Sequence, residues 1–361
     1  MVEIIVLCIF IFVIDFLIQT ILFLKKYSQF PLHIKTFDGS NQPYHPSVVY
    51  QKEGWNGFKY WMVITPYPKG KLPYKDRWEC PCIYCSNDGI NWRTPDGFMN
   101  PLDDLTDEEI ANKDFFSDPH LVFKGKDLEC WYRISHNHNN DRDTYLLRKN
   151  TNNGNQWSER ELLFNPTNAE AVGNLGDMVR SPAIIYSREY KMWYVDNKYN
   201  RGERKVCYTS SADGKKWVKR IECQIKGKDI NPWHIDVSFI DGLYWLLIYD
   251  LRDLTLWKSS DGIYFTFEKI LLKPSLKYGN FYSDGLYRSV LVKTENDYRC
   301  YFSGFDENKT YIGLMKGQSI TRMKVFSCGE FNGNFKQLFI IYLQNRKRDA
   351  SRLKSKCLYK W

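Results

Sequence analysis

The sequence predicts an all-β fold, a five-bladed β-propeller preceded by one N-terminal transmembrane helix. Three observations support this prediction. A trio of short apolar strands recurs five times along the chain, and a tight turn rich in Ser, Asp and Gly closes several of the trios. One long apolar run occupies the N-terminus, and a helical period is almost absent after residue 30. We expect residues 1–26 to form a membrane anchor, residues 27–343 the propeller and residues 344–361 a basic C-terminal tail.

The N-terminal segment has the length and composition of a membrane span. Residues 4–24 are apolar except for a few positions such as Asp15 and Gln19. At about 1.5 Å per residue this run reaches about 30 Å, the thickness of the hydrocarbon core of a bilayer. Glu3 precedes the run, and Lys25 and Lys26 follow it. The positive-inside rule therefore predicts a single-pass membrane protein whose propeller lies in the cytoplasm.

The repeat is clearest in the first two strands of each unit. The first strands are HPSVVY from His45, DPHLVF from Asp118, SPAIIY from Ser181, HIDVSF from His234 and YRSVLV from Tyr287. The second strands are KYWMVI, LECWYRI, YKMWYV, LYWLLIY and YRCYFSG. Units of three or four strands that repeat every 50 to 70 residues are typical of a propeller. We expect residues 30–43 to close the ring by adding a strand to the last blade.

A third strand and a turn complete the units. The sequences IYCSNDGINW, VCYTSSADGKKW and LWKSSDGIYF share the pattern S-x-D-G-x-x-W/F, which is degraded to NTNNGNQW in the second unit. Asp-Gly supplies the left-handed backbone of a hairpin turn, and the aromatic residue packs beside it. This pattern therefore indicates a structural turn. Outside the repeat, residues 103–111 and the run FKQLFIIYL retain a helical period.

Charge and cysteine content exclude several classes of function. The chain has a net charge of +9, but its last sixteen residues carry seven basic side chains against one acidic side chain. The propeller is thus close to neutral, which argues against a nucleic-acid partner. Cys80, Cys82 and Cys85 lie in a strand-like run, where alternate side chains face opposite sides. We expect buried thiols there, and we predict neither a metal site nor a cofactor.

Polar residues at the start of the first strands point to a site in the central channel, because these strands line the channel of a propeller. The first positions are His45, Asp118, Ser181, His234 and Tyr287, with Arg180 just before Ser181. One or two residues further along lie His120, Asp236 and Arg288. Buried charge is expensive unless it is paired or used, so this set is either a ligand site or a structural network. Trp233, Trp131 and Tyr132 offer flat faces on which a sugar ring could stack.

The strand openings, the turns and the five units resemble the five-bladed propeller glycosidases of glycoside hydrolase families 43, 32 and 68 over residues 38–317. That resemblance implies three carboxylates, one from each of the first three blades. Asp118 stands at the second position, whereas His45 and Arg180 replace the first and third. Glycoside hydrolysis normally needs a pair of carboxyl groups, and Arg cannot donate a proton near neutral pH.

Three hypotheses remain open for the channel. In the first, a glycan-processing hydrolase uses Asp118 and Asp236 as carboxylates and His45 or His234 as proton shuttle. Arg180 and Arg288 then clamp an acidic sugar or sugar phosphate, with His120, His234 and Trp233 also contacting substrate. In the second, the propeller binds a glycan without cleaving it. In the third, it is a membrane-tethered scaffold of a polysaccharide-assembly system. Glu170 and Asp177, in the long loop before the third blade, are alternative acids.

Overall fold

The computed structural model describes residues 2–27, 29–69, 79–138, 141–176, 178–197, 204–275 and 280–328. Five mainly antiparallel sheets follow the N-terminal helix α1 (Val2–Tyr27). Two short helices, α2 (Asp107–Ala111) and α3 (Ala169–Leu175), lie between strands. The first agrees with the helical period around residues 103–111, α3 was not predicted, and the run FKQLFIIYL lies outside the described residues.

Each sheet is one blade, and its strands are hydrogen-bonded largely in chain order. Blade 1 contains β1 (Pro43–Trp55), β2 (Phe58–Pro66) and β3 (Cys82–Ser86). Blade 2 contains β4 (Phe115–Lys124), β5 (Asp127–His138), β6 (Asp141–Thr151) and β7 (Glu161–Phe164). Blade 3 contains β8 (Arg180–Tyr186), β9 (Tyr190–Asn197), β10 (Arg204–Ser211) and β11 (Ile221–Glu222).

The last two blades follow the same plan. Blade 4 contains β12 (Gln224–Lys226), β13 (His234–Ile240), β14 (Leu243–Tyr249), β15 (Leu254–Ser259) and β16 (Tyr264–Leu272), with β12 added parallel to β16. Blade 5 contains β17 (Gly285–Lys293), β18 (Tyr298–Phe305), β19 (Thr310–Gly317) and β20 (Lys324–Phe326), after the 3₁₀ turn Ile320–Arg322. The predicted first, second and third strands all coincide with strands of the structure.

The blades form a closed ring around a channel lined by their first strands. Strands β1, β4, β8, β13 and β17 contact one another in this order, and β17 contacts β1 again. A hydrophobic cluster fills each of the five gaps between neighbouring blades. Ring closure differs from the prediction. Residues 29–34 lie along the last blade, with hydrogen bonds from Leu32 N to Ile312 O and from Cys328 N to Phe30 O, but they form no strand.

The S-x-D-G turns join one blade to the blade before it. In blade 3, Gly214 N donates to Ser211 Oγ at 2.9 Å, and Asp213 Oδ1 accepts two backbone N–H groups. Gly214 has φ +81°, and a Cβ there would lie 3.0 Å from Trp131 of blade 2. Gly154 approaches Trp61 in the same way. The repeated glycine therefore serves both the turn and the close contact with the preceding blade's tryptophan.

The ends of the chain bear on the predicted anchor and tail. Within the described part of the chain, no helix combines the length and apolar composition needed to cross a membrane. The membrane anchor and the placement of the propeller in the cytoplasm stay predictions. The basic tail, residues 344–361, lies outside the described residues.

Candidate functional site

In blades 1 to 3 the first strand has a β-bulge at an X-Pro step, and the bulge directs one side chain into the channel. His45, Asp118 and Ser181 each precede a proline and have φ values of 53°, 50° and 50°. The pairing register of each strand breaks at this step. Proline has no N–H to donate to the ladder, and a bulge redirects the adjacent side chain. These three residues therefore turn toward the channel at equivalent places.

The bulges surround a pocket of about 260 Å³ to which all five blades contribute. Its lining consists of His45, Tyr67, Glu79, Phe115, Ser117, Asp118, Arg133, Thr144, Met178, Arg180, Trp233, His234 and Tyr287. Five of the eight predicted site residues are in this lining, namely His45, Asp118, Arg180, Trp233 and His234. The pocket has the size and the mixed polar and aromatic walls of a small-molecule site.

The other three predicted site residues lie in a buried layer beneath the pocket. His120 Nδ1 lies 3.6 Å from Asp236 Oδ1, and Arg288 donates from Nη2 to the carbonyl of Pro182 at 2.7 Å. This placement differs from the predicted substrate contact. Each step along a strand advances about 3.3 Å down the channel, so residues one or two places further along lie deeper. Trp131 and Tyr132, considered as sugar platforms, are fully buried in the core.

Asp118 is the best-connected carboxylate of the pocket. Its Oδ2 accepts a hydrogen bond from Arg133 and one from the backbone N–H of Ser181 at 3.1 Å. Its Oδ1 lies 3.2 Å from His234 Nδ1 and 3.8 Å from Arg288 Nη1. Burial alone would raise the pKa of Asp118, but the contacts with His234, Arg133 and Arg288 hold it well below its usual range. Asp118 is therefore ionised.

Glu79, which the sequence did not indicate, supplies a second carboxyl group. It follows directly after residues 70–78 and has φ 55°, an unusual backbone for a glutamate. Its Oε2 lies 3.1 Å from His45 Nδ1. Burial raises the pKa of Glu79, and the nearby His45 only partly offsets this effect. The two carboxyl groups of the pocket therefore differ in acidity, with Asp118 the stronger acid.

Three pocket residues are arranged as a candidate set of metal ligands. Ligand atoms of His45, Asp118 and His234 all lie within 4.8 Å of one another. His45 Nε2 and His234 Nε2 are buried and have no hydrogen-bond partner in the part of the chain that the structure describes, whereas Asp118 Oδ1 keeps its contact with His234 Nδ1. Burial lowers the pKa of His234 to about 3, despite the opposing effect of Asp118, so its imidazole is neutral. Two imidazoles and a carboxylate suit a transition-metal dication.

The buried layer explains why Asp236 is not equivalent to Asp118. Burial raises the pKa of Asp236 to about 6, with Arg288 opposing the shift. Burial and the charge of Arg288 lower the pKa of His120 to about 3. Arg288 is the residue of this layer that stays positively charged, because His120 is neutral, and it lies below the pocket. The layer therefore supports Asp118 from beneath, and its residues do not line the pocket.

Glu170, one of the two alternative acids of the third-blade loop, does not line the channel pocket. Glu170 is exposed on α3 and lines a different cavity, beside Trp217. Asp177 lies outside the described residues. Arg133, which pairs with Asp118, is a second pocket residue that the sequence analysis missed. A single arginine in the apolar run CWYRI was the available signal, because such a charge needs a buried partner.

Comparison with known proteins agrees with this fold. No known family profile matches the chain. Over 304 residues it is 25% identical to an A type blood N-acetyl-alpha-D-galactosamine deacetylase from Flavonifractor plautii. The alignment covers 70% of this chain and 38% of the deacetylase. The chain thus spans about two fifths of the length of this curated relative.

Solved structures give the same result. The crystal structure of an N-acetylgalactosamine deacetylase from F. plautii, in complex with blood group B trisaccharide, superposes with a TM-score of 0.63 at 21% identity, over 81% of this protein and 94% of the deacetylase. A protein solved as an RGII complex has a TM-score of 0.59 at 11% identity, over 88% of this protein and 97% of the other. A glycoside hydrolase has a TM-score of 0.58 at 11% identity, over 87% and 98%. The chain is a five-bladed β-propeller. Its structural neighbours are glycan-acting propeller proteins, as the resemblance implied.

Proposed function

We propose that this chain is a carbohydrate-active hydrolase whose channel pocket removes the acetyl group from an N-acetylated sugar of a glycan. One observation carries the proposal: His45, Asp118 and His234, from three different blades, converge in one pocket, where the Nε2 atoms of both histidines have no hydrogen-bond partner among the described residues. The deacetylase from F. plautii, similar in sequence and fold, supports the choice of an amide bond over a glycosidic bond. The replacement of two family carboxylates by His45 and Arg180 supports the same choice.

The ligand set is held by a second layer of side chains. His45 Nδ1 lies 2.8 Å from the Thr65 hydroxyl and 3.1 Å from Glu79, which leaves Nε2 directed away from both. A carboxylate behind a histidine is the usual device for fixing its tautomer as a metal ligand. Arg133 fixes a second ligand, Asp118, by its hydrogen bond to Oδ2. A divalent cation bound here would polarise the acetyl carbonyl and make water a better nucleophile.

The remaining pocket residues fit the hydrolysis of an amide. Water adds to the acyl carbon, the C–N bond breaks, and acetate and a free amino sugar leave. Glu79 is the candidate acceptor for the proton of water, because burial raises its pKa toward the range of a general base. Burial also raises the pKa of Tyr287, so its hydroxyl keeps the proton that it can donate to a developing oxyanion. The ring of Tyr287 lies 4.1 Å from that of His234.

Glycoside hydrolysis is the second candidate, and one observation favours it. The pKa of Glu79 is raised and that of Asp118 is lowered, which is the division of roles between a general acid and an ionised partner in a glycosidase. In that mechanism Glu79 protonates the leaving oxygen and Asp118 acts as base or nucleophile.

Product analysis separates the two candidates. The full-length protein in detergent is incubated with an oligosaccharide ending in N-acetylgalactosamine, and acetate and free monosaccharide are measured. We expect acetate without monosaccharide, loss of acetate release in His234→Asn, and no loss in the exposed control His33→Asn. Monosaccharide without acetate would support glycoside hydrolysis instead. Binding without either product would leave a glycan-binding or scaffold propeller and overturn the proposal.

We also propose that residues 4–24 tether the propeller to a membrane, with the propeller in the cytoplasm. The support is the apolar run and the lysines that follow it. Membranes containing the full-length protein are washed with alkaline carbonate, and intact cells or inverted vesicles are treated with protease. We expect the protein to stay with the membrane and the propeller to be cut only in inverted vesicles. Release by carbonate would contradict the anchor.

A further inference from the structure

Two hydrogen-bonding side chains of blade 2 lie side by side in the pocket lining. Ser117 of β4 and Arg133 of β5 are directly opposite each other in the antiparallel ladder, and both line the pocket. Residues paired in this way project from the same face of a sheet, with Cβ atoms about 4.5–5.5 Å apart. Their chain neighbours Phe116 and Tyr132 project from the other face and pack in the hydrophobic cluster between blades 1 and 2. Ser117 and Arg133 are therefore directed away from that cluster, on the side of the pocket.

Both side chains keep a buried polar group that is not hydrogen-bonded to any of the described residues. These groups are the Ser117 hydroxyl and the Arg133 Nε–H, in residues that are 7% and 5% exposed. Arg133 uses Nη1 for its bond to Asp118, so the Nε–H is a further donor of the same guanidinium. A buried polar group without a partner costs free energy, and a ligand oxygen that bonds both groups recovers it.

The chemistry of the pair favours an uncharged hydroxyl as the ligand group. The charge of Arg133 is already matched by Asp118, so the pair does not require an anion. A sugar hydroxyl both accepts and donates, so it can accept from the Arg133 Nε–H and exchange a hydrogen bond with the Ser117 hydroxyl. A site built to bond a hydroxyl strongly rejects an analogue that lacks it, because the buried groups are then left unpaired.

The position of the pair indicates which hydroxyl it contacts. Ser117 directly precedes Asp118, one of the candidate metal ligands that would hold the acetyl group. In a glycosidically linked N-acetylhexosamine the acetamido group is on C2 and C1 carries the linkage, so the nearest hydroxyl is on C3. We propose that Ser117 and Arg133 form a subsite for the C3 hydroxyl of the N-acetylated sugar. This inference rests on the proposed function for the placement of the sugar, and it narrows the substrate class to N-acetylhexosaminides with an unsubstituted C3 hydroxyl.

Binding is measured by calorimetry, so that the test does not depend on turnover. The full-length protein in detergent carries His234→Asn, which removes one candidate metal ligand and leaves the Ser117–Arg133 pair in place. An oligosaccharide ending in N-acetylgalactosamine is compared with its 3-deoxy, 4-deoxy and 6-deoxy forms. We expect loss of the C3 hydroxyl to weaken binding at least about tenfold. Adding Ser117→Ala should weaken the parent ligand about fivefold and change the affinity for the 3-deoxy ligand by less than about twofold.

Ser135→Ala is the matched control. Ser135 is also a buried serine of blade 2, but its hydroxyl bonds to Thr144 at 3.2 Å and it is not in the pocket lining. This variant should change the affinities for all four ligands by the same factor. Equal losses for the parent and the 3-deoxy ligand in Ser117→Ala, or no binding of the parent ligand, would overturn the inference.

The failure of this inference can be told apart from the failure of the proposed function. Acetate release by the wild type, without an effect of Ser117→Ala that depends on the C3 hydroxyl, would remove the subsite and leave the deacetylase standing. An effect that depends on the C3 hydroxyl, without acetate release by the wild type, would keep the subsite and overturn deacetylation.

Discussion

Replacing Arg133 by methionine tests the electrostatic account of the pocket. Arg133 and Asp118 have side chains that are 7% and 2% exposed, and they are joined by a hydrogen bond. Removing one partner of a buried ion pair typically costs about 3–5 kcal/mol, because the other charge is left in a medium that solvates it poorly. Arg288 and the N–H of Ser181 still face Asp118, so we expect Arg133→Met to lose about 3 kcal/mol of unfolding free energy.

The matched control has the same chemistry at the surface. Arg93 forms a two-pronged pair with Asp96 at 2.8 and 2.9 Å, but these side chains are 56% and 78% exposed. An exposed pair contributes about 1 kcal/mol at most, so Arg93→Met should change the urea midpoint only slightly. Unfolding of the full-length proteins is followed by tryptophan fluorescence at constant detergent.

The pH dependence gives the second half of this test. The folded-state pKa of Asp118 is lowered, so the stability it contributes is present above the pKa of the unfolded chain, about 4, and is lost as pH falls through the folded-state value. Once Asp118 is protonated, Arg133 has no charge to offset. The deficit of Arg133→Met should therefore be largest at pH 7 and shrink at acidic pH. A deficit no larger than that of Arg93→Met, or one unchanged by acid, would mean that Arg133 does not stabilise an ionised Asp118.

Three further predictions test other parts of the structure. Glu79→Gln should lower the rate of acetate release about 10- to 100-fold through misorientation of His45, whereas full activity would show that Glu79 neither orients His45 nor accepts a proton. The pKa of Asp236 is raised to about 6, so its ionisation destabilises the folded protein as pH rises through that value. The unfolding free energy of Asp236→Asn should therefore rise relative to that of the wild type by up to about 3 kcal/mol between pH 4 and pH 8, and a difference in urea unfolding that does not change with pH would contradict this. Gly154→Ala places a Cβ 2.3 Å from Trp61 at φ +77°, and a loss of at least about 1 kcal/mol is expected, while an unchanged melting temperature would show that the turn does not pack on that ring.

The fold could be predicted from the sequence because the same three-strand pattern occurs in every blade. Each blade restates the strand trio, and the turn carries a glycine at the point where Gly154 or Gly214 meets the tryptophan of the preceding blade. The X-Pro pairs also marked the pocket. His45 and Asp118 were identified from their place before a proline at equivalent strand starts, and the structure puts both in the pocket lining.

The sequence could not show how deep a residue lies in the channel or which residues from outside the repeat contact it. Arg288 and Asp236 lie one and two residues after the predicted strand starts. The structure shows that this displacement along the strand places them in the buried layer below the pocket. Glu79 comes from a loop that no repeat reproduces, so alignment of the units could not find it. Arg204 reaches Trp233 from the start of a third strand, a position at which the repeat gave no polar signal.

Metal content measured by plasma mass spectrometry shows whether His45, Asp118 and His234 form one ligand set. The full-length protein is dialysed against each of several divalent transition metals and then desalted. We expect about one metal ion per chain in the wild type and in His33→Asn, and a loss of at least about tenfold in occupancy in both His45→Gln and His234→Asn. Equal metal content in all four proteins, or none in the wild type, would contradict this ligand set.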